Sequence, residues 1–218
     1  MILSRSRLES ISALWLTGDD TVERWNAVRR GEGVVLRSYG LPPESRRALG
    51  RRLAGLCRGG GILLVAVRNR TDFTMAVELR AHGVHLPEGV VRHHLLAPIL
   101  GWRRHQCAIL TVAAHGPLAL ARGRRIRADA ALLSPVFPTA SHPDAKPLGP
   151  VRFAAWSRMA QMPVVALGGI RANTLSRLRR SGAVGFATGD ALWFTNATMR
   201  QAMFRGNVKK RNGNETLF

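Results

Sequence analysis

The chain has 218 residues, of which 46% are hydrophobic and 21% are charged, so it is long enough for one domain with a full hydrophobic core and too apolar for a disordered protein. No run of about 18 apolar residues is present, and the N-terminal residues do not have the form of a secretory signal, which argues against a membrane-spanning or secreted protein. We therefore expect a cytoplasmic protein in which Cys57 and Cys107 are buried free thiols.

The formal net charge of +20 would allow binding to nucleic acid, to an anionic membrane surface or to phosphorylated substrates. Almost all of this charge is arginine, since Lys146, Lys209 and Lys210 are the only lysines. The arginines are scattered through the predicted helices, and no aromatic residues alternate with them as base-stacking platforms would require. We expect a solvated, arginine-rich surface, no nucleic-acid or membrane partner, and small phosphorylated substrates.

Short apolar runs alternate with amphipathic segments along the chain, which is typical of a parallel α/β fold. Eight such runs favour a single (β/α)8 TIM barrel over residues 1–205, followed by a polar, flexible tail over 206–218. The first six strands are predicted at 13–16, 33–37, 62–67, 83–86, 108–112 and 129–134, and the last two end at Gly168-Gly169 and Thr188-Gly189. Helices are predicted at 20–30, 43–57, 72–80 and 117–125 and between the last two strands; 87–106 has no defined pattern and 135–149 is a loop.

The last two predicted strands both end in small residues. Small residues leave backbone N–H groups accessible, and the N-terminus of a following helix favours negative charge. In (β/α)8 barrels a phosphate commonly binds after strands seven and eight. We therefore predict a phosphate site at Gly168, Gly169, Thr188 and Gly189.

Basic and hydroxyl side chains dominate the other strand ends, where the active sites of such barrels lie. Arg37 follows strand two and His115 follows strand five, whereas His85 lies within strand four and is interpreted as structural. Arg37 could contact a ligand or pair with Asp19 or Asp190. The balance of side chains suits an anionic ligand better than acid–base work by paired carboxylates.

Several short motifs occur in a fixed order. They are LWLTGD from Leu14, VVLR from Val34, GVHL from Gly83, SPVFPT from Ser134, PLG from Pro147, PVVALGGI from Pro163 and GAVG from Gly182. Taken together, these motifs resemble the thiamine phosphate synthase/TenI family, from the first strand to about Leu192.

The resemblance implies an enzyme that joins a hydroxymethylpyrimidine pyrophosphate to a thiazole phosphate with release of pyrophosphate. A thiazole tautomerase, which shifts a proton on the thiazole phosphate, is the alternative. A third is a degenerate barrel that only binds a phosphorylated ligand, or nucleic acid through its arginine surface. Matching positions imply thiazole phosphate binding at Gly168-Gly169 and Thr188-Gly189, substrate binding by Thr139 and Ser141 in the strand-six loop, pyrophosphate contact by Arg37, and proton transfer by His115. His142, which stands in place of the family's lysine in the same loop, is a further candidate for substrate binding.

The chain departs from the family pattern where pyrophosphate and magnesium bind. The run Val35-Leu-Arg-Ser-Tyr39 lacks the family's glutamine and lysine, and the serine two places before His115 is Ala113. The expected aspartates after strands three and four are also missing. Asp72 and Glu88 are the candidate replacement ligands for Mg²⁺ if synthase activity is retained.

Arginine could instead neutralise the pyrophosphate directly, because its fork binds phosphate oxygens in pairs. Arg37, Arg68 and Arg70 are the candidates near the predicted site. The sequence leaves the oligomeric state open, a homo-oligomer included.

Overall fold

A computed structural model describes residues 13–17, 28, 30–89, 93–139 and 144–189. Most of the helix predicted at 20–30 and the whole of the polar tail at 206–218 lie outside the described residues. No helix in the described part of the chain is long and apolar enough to cross a membrane.

The sheet is parallel and strongly curled, with helices packed on its outside. Each strand pairs in parallel with the next along the chain, and β8 also pairs with β1, so the strand order closes on itself. The strands are β1 (Ala13–Leu16), β2 (Glu32–Leu36), β3 (Ile62–Ala66), β4 (Gly83–Leu86), β5 (Ile109–Ala114), β6 (Ala130–Leu133), β7 (Val164–Leu167) and β8 (Gly185–Thr188).

Six α-helices follow the strands from β2 to β7 in the described residues. They are α1 (Pro43–Leu56), α2 (Arg70–Glu78), α3 (His93–Gln106), α4 (Pro117–Arg125), α5 (Gly149–Met159) and α6 (Ala172–Leu175), with short 3-10 turns at Cys57–Gly59 and Ser176–Leu178. The predicted α/β class with a parallel sheet is thereby confirmed. Most of the segment after β1, where a helix was predicted, and all residues beyond Gly189 after β8 lie outside the described ranges.

Residues along the strands alternate between two hydrophobic layers, because successive side chains of a strand point to opposite faces. Leu16, Val35 and Leu64 belong to the layer inside the curled sheet. Val34 and Leu63 belong to the larger layer between the sheet and the helices. Both faces of the sheet are therefore buried, which explains why the strands read as continuous apolar runs.

Helix α3 was not predicted, since its sequence has a weak apolar period and contains Pro98. Leu95 and Ile99, four residues apart, are buried against the sheet. Trp102 adds an edge-to-face contact with Phe73, with ring centroids 5.8 Å apart. Tertiary packing of this one face stabilises a helix that local preference alone does not indicate.

The two cysteines differ in their surroundings. Both are free thiols, as predicted, and Cys57 is buried. Cys107 is exposed, so the prediction of a buried thiol is wrong there. It lies in the turn after α3 with φ of 50°, where the chain leaves the helix at the surface.

Candidate functional site

The carboxyl ends of the parallel strands meet at one rim of the curled sheet, and the candidate site lies there. Ser141 and His142 lie outside the described residues. All other predicted site residues are described, and they are Arg37, Asp72, Glu88, His115, Thr139, Gly168, Gly169, Thr188 and Gly189.

Gly168 and Gly169 have left-handed backbone conformations, with φ of 93° and 63°. A Cβ atom on Gly168 would lie 2.8 Å from the Pro135 Cα, and one on Gly169 would lie 2.4 Å from the Pro138 carbonyl oxygen. The Phe137 N–H also donates to the Gly168 carbonyl at 3.1 Å. Both glycines are required because the loop after β6 packs directly on them.

A pocket of about 490 Å³ lies beside this glycine pair. It brings together Thr139 from the loop after β6 and Gly169 from the loop after β7, both of which are predicted substrate-binding residues. It also contains residues that the prediction missed, although they directly follow the Gly168-Gly169 motif. These additional lining residues are Arg171, Asn173, Thr174 and Arg177, and the Arg177 guanidinium lies 5.2 Å from the Phe137 ring centroid.

The end of β8 lies beside the end of β7. Leu167 is in register with Ala187, so Gly168 and Thr188 leave adjacent strands at the same level. Thr188 is buried and Gly189 is exposed. The four residues predicted to bind phosphate therefore form one corner of the rim.

His115 is held from both sides at the end of β5. Its Nδ1 lies 2.9 Å from the Ser134 carbonyl oxygen, which can only accept, so Nδ1–H is the donor and Nε2 of the neutral ring carries the lone pair. Nε2 lies 3.8 Å from Glu88 Oε2, and the same oxygen accepts the His115 backbone N–H at 2.7 Å. His115 and Glu88, predicted for different roles, thus form one polar pair.

Arg37 lies at the mouth of the curled sheet, after β2. Its backbone N–H donates to Thr17 Oγ1 at 2.8 Å, which ties the ends of β1 and β2 together. Burial and, as the smaller cause, the positive charge of Arg37 together lower the pKa of His85 to about 3. The alternative ion-pair partners proposed for Arg37, Asp19 and Asp190, lie outside the described residues.

His85 points into the curled sheet and is almost fully buried. Its Nδ1 lies 3.0 Å from the Thr111 hydroxyl, to which it is hydrogen-bonded. The contact agrees with the interpretation of His85 as a structural residue.

Tyr39, the single tyrosine of the chain, organises a cluster of arginines beside Arg37. The Arg68 guanidinium carbon lies 3.7 Å from its ring centroid and that of Arg46 lies 5.3 Å away. Burial raises the pKa of the Tyr39 hydroxyl, while the charges of Arg37, Arg68 and Arg46 act to lower it. The hydroxyl therefore stays protonated near neutral pH.

Asp72 lies in the first turn of α2 and is buried with Arg46, with which it forms an ion pair. Its second oxygen accepts the Arg68 backbone N–H at 2.8 Å. Arg46 also donates to the carbonyl oxygens of Arg37 and Ala66, at 2.8 Å and 2.9 Å. The pair connects the ends of β2 and β3 to α1 and α2.

The chain was compared with known protein families. The model of the family described as thiamine monophosphate synthase matches residues 16–192. The chain belongs to this family. All of the described site residues fall within the matched range.

Several members of the thiamine monophosphate synthase family are similar to the chain over most of its length. It is 32% identical over 154 residues to a putative thiamine-phosphate synthase 2 of Aquifex aeolicus, covering 71% of this chain and 78% of the relative. It is also 32% identical over 163 residues to a thiamine-phosphate synthase of Roseiflexus sp., covering 74% and 66% of the two chains. The solved thiamine phosphate pyrophosphorylase from Pyrococcus furiosus superposes with a TM-score of 0.66 at 20% identity, covering 91% of this chain and 94% of that one, which shows the shared fold.

Proposed function

We propose that this chain is a thiamine phosphate synthase, a transferase that joins a hydroxymethylpyrimidine pyrophosphate to a thiazole phosphate. The observation that carries the proposal is the pocket in which Thr139 meets Gly169 and two arginines, within the range matched by the family. The fold would be a complete (β/α)8 barrel, whose outer helices after β1 and β8 would come from residues outside the described ranges.

The thiazole phosphate would bind at the corner formed by the ends of β7 and β8. Backbone N–H groups at Gly168-Gly169 and Thr188-Gly189 would face the phosphate oxygens. Arg171 and Arg177 would supply positive charge from the same pocket, and Thr139 would donate a hydroxyl. Ser141 and His142 stay predictions for the same loop.

The reaction exchanges one bond for another. The bond between the pyrimidine methylene carbon and the pyrophosphate oxygen breaks, and its electron pair leaves with the pyrophosphate. The thiazole nitrogen then donates its lone pair to the methylene carbon, which gives a thiazolium cation. The protein's contribution would be positive charge near the departing group, and Arg37 is the candidate residue.

Synthases of this family generally depend on Mg²⁺. The predicted ligands do not fit such an ion, because both oxygens of Asp72 already accept from arginine side-chain or backbone N–H groups inside the fold. Glu88 is engaged by His115 on the far side of β4. Positive charge from arginine would therefore have to stabilise the departing pyrophosphate.

The direct test is to incubate the full chain with both substrates, with and without Mg²⁺, and to detect thiamine phosphate by chromatography. We expect thiamine phosphate to form, and we expect the Arg37→Ala variant to form it roughly a hundredfold more slowly. Arg124→Ala is the matched control, since Arg124 is exposed in the last turn of α4, at the opposite end of the sheet. Failure to form product at enzyme concentrations equal to the substrates would reject the synthase function.

A thiazole tautomerase is the second candidate, and the geometry of His115 favours it. A neutral imidazole with Nδ1–H bonded to Ser134 presents Nε2 as a base. The carboxylate of Glu88 would stabilise the imidazolium that forms when Nε2 takes a proton. This function would need neither a metal nor a pyrimidine site.

A further inference from the structure

The corner between β2 and β3 holds more positive charge than its carboxylate can balance. The guanidinium groups of Arg46 and Arg68 lie against the Tyr39 ring, and the positive charge of Arg37 acts on the same tyrosine hydroxyl. Asp72 is their single carboxylate partner in the part of the chain that the structure describes. Two positive charges are therefore left at this corner for an anion.

The roles of these arginines differ. Arg46 is almost fully buried and its N–H groups are bonded to Asp72 and to backbone carbonyl groups, so it is a structural residue. The Arg68 side chain is 42% exposed and its Nε lies 3.6 Å from Asp72 Oδ2, too far for a hydrogen bond. Arg37 is half-buried at the mouth of the sheet. Arg37 and Arg68 are the two that a ligand can reach.

Tyr39 prepares Arg68 for an anion. At 3.7 Å from the ring centroid, the guanidinium carbon is in stacking contact with the aromatic face. Stacking uses the face of a guanidinium and leaves its in-plane N–H groups for phosphate oxygens. The ring therefore restricts a long, flexible side chain without using the donors that bind the ligand.

We infer that Arg37 and Arg68, with Tyr39 as the platform for Arg68, bind the pyrophosphate group of the pyrimidine substrate in place of a magnesium ion. The inference rests on the proposed synthase function. A pyrophosphate site made of arginines does not need Asp72 as a metal ligand, so Asp72 can pair with Arg46 instead. It also explains why Tyr39 occupies the position at which the resemblance implies a lysine. Bidentate arginine contacts supply both the charge and the fixed geometry that a bridging cation would give.

The test measures binding of inorganic pyrophosphate to the full chain by isothermal titration calorimetry, once in EDTA and once in excess Mg²⁺. We expect binding in EDTA with an affinity that Mg²⁺ does not increase. Arg37→Ala and Arg68→Ala should each weaken it by about 10- to 100-fold, as expected for loss of charge-assisted hydrogen bonds. Arg124→Ala is the control and should bind like the unmodified chain.

Two further variants separate the stacking role of Tyr39 from its hydroxyl. Tyr39→Phe keeps the ring and should bind pyrophosphate within about twofold of the unmodified chain. Tyr39→Leu removes the platform and should weaken binding about threefold to tenfold. Circular dichroism of each variant shows whether the fold is retained.

Binding that needs Mg²⁺, or that is unchanged in Arg37→Ala and Arg68→Ala, would overturn the inference, as would failure to bind pyrophosphate under both conditions. None of these results decides the synthase function, because thiamine phosphate formation is measured separately. If thiamine phosphate forms but pyrophosphate binding depends on Mg²⁺, the synthase function is supported and the arginine site is rejected.

Discussion

The guanidinium group of Arg46 and the carboxylate of Asp72 form a buried ion pair that joins helices α1 and α2 beneath the rim. Each side chain is at most 5% exposed, and both make further hydrogen bonds to the backbone. Because a buried charge is tolerated only when it is paired and hydrogen-bonded, the fold depends on both residues together.

The first prediction follows from this pair. Asp72→Asn should lower the free energy of unfolding by about 3–5 kcal/mol, because Arg46 is left buried without a counter-charge. The double variant Arg46→Met/Asp72→Leu should recover part of the loss, since no uncompensated charge remains. Urea unfolding at pH 7 measures both.

Arg47→Ala is the control for this experiment. Arg47, the next residue of α1, pairs at the surface with Glu44 of the same helix and with Glu78 of α2, and surface ion pairs contribute little. Its unfolding midpoint should match that of the unmodified chain. An Asp72→Asn variant as stable as this control would show that the pair is not needed by the fold.

The second prediction concerns the glycine pair. Gly169→Ala should lower the free energy of unfolding by roughly 1–3 kcal/mol, because its Cβ would contact the Pro138 carbonyl and its φ is left-handed. It should also weaken thiazole phosphate binding, since the loop after β6 must move. Gly55→Ala, at an exposed helical position with nothing within 4 Å of the added Cβ, should be neutral or slightly stabilising.

The strands could be predicted because their signals are local. Buried parallel strands read as apolar runs, and β1, β4 and α4 begin and end where the sequence indicated. Helix α3 was missed because Leu95, Ile99 and Trp102 are stabilised by packing rather than by local preference.

Side-chain pairing across the rim could not be predicted in the same way. Asp72 looked like a metal ligand because nothing in the sequence links it to Arg46, which lies 26 residues earlier. Glu88 and His115 are likewise 27 residues apart and meet only because β4 and β5 are neighbours. The roles predicted for Asp72 and Glu88 as metal ligands stay predictions, and these contacts argue against them.

The third prediction is a pH dependence of stability that arises from His85. The unfolded chain takes up a proton on this side chain near pH 6.5, whereas the folded chain keeps it neutral down to a pKa of about 3. Between these values the unfolded state binds more protons, so stability falls as the pH falls. Lowering the pH from 7 to 5 should cost about 2 kcal/mol through this group.

His85→Gln isolates that contribution, since a neutral amide can still hydrogen-bond to Thr111 but does not titrate. The difference in unfolding free energy between the two proteins should shrink or reverse on going from pH 7 to pH 5. A difference that stays constant over this range would show that His85 is not buried in its neutral form.

The fourth prediction separates the two thiols. Cys107 is exposed and should react rapidly with a disulfide reagent such as DTNB. Cys57 should react only on unfolding, because burial shields it and raises the pKa of its thiol to about 12. One thiol should therefore be labelled in the native chain and two in urea. The Cys107→Ser variant should lose the rapid phase of labelling. Rapid labelling of that variant would contradict the buried position of Cys57.

The fifth prediction tests His115 as a base. If the protein is a tautomerase, His115→Ala should slow exchange of the carbon-bound proton of the thiazole for deuterium by roughly 10²–10⁴-fold, while calorimetry shows that thiazole phosphate still binds. Glu88→Gln keeps an oxygen that can accept the His115 backbone N–H but removes the charge near Nε2, so it should slow exchange less than His115→Ala. His105→Ala, at an exposed position in the last turn of α3, should exchange normally. Loss of binding together with exchange in His115→Ala would assign the residue to the structure of the rim, and unchanged exchange would exclude it as the base.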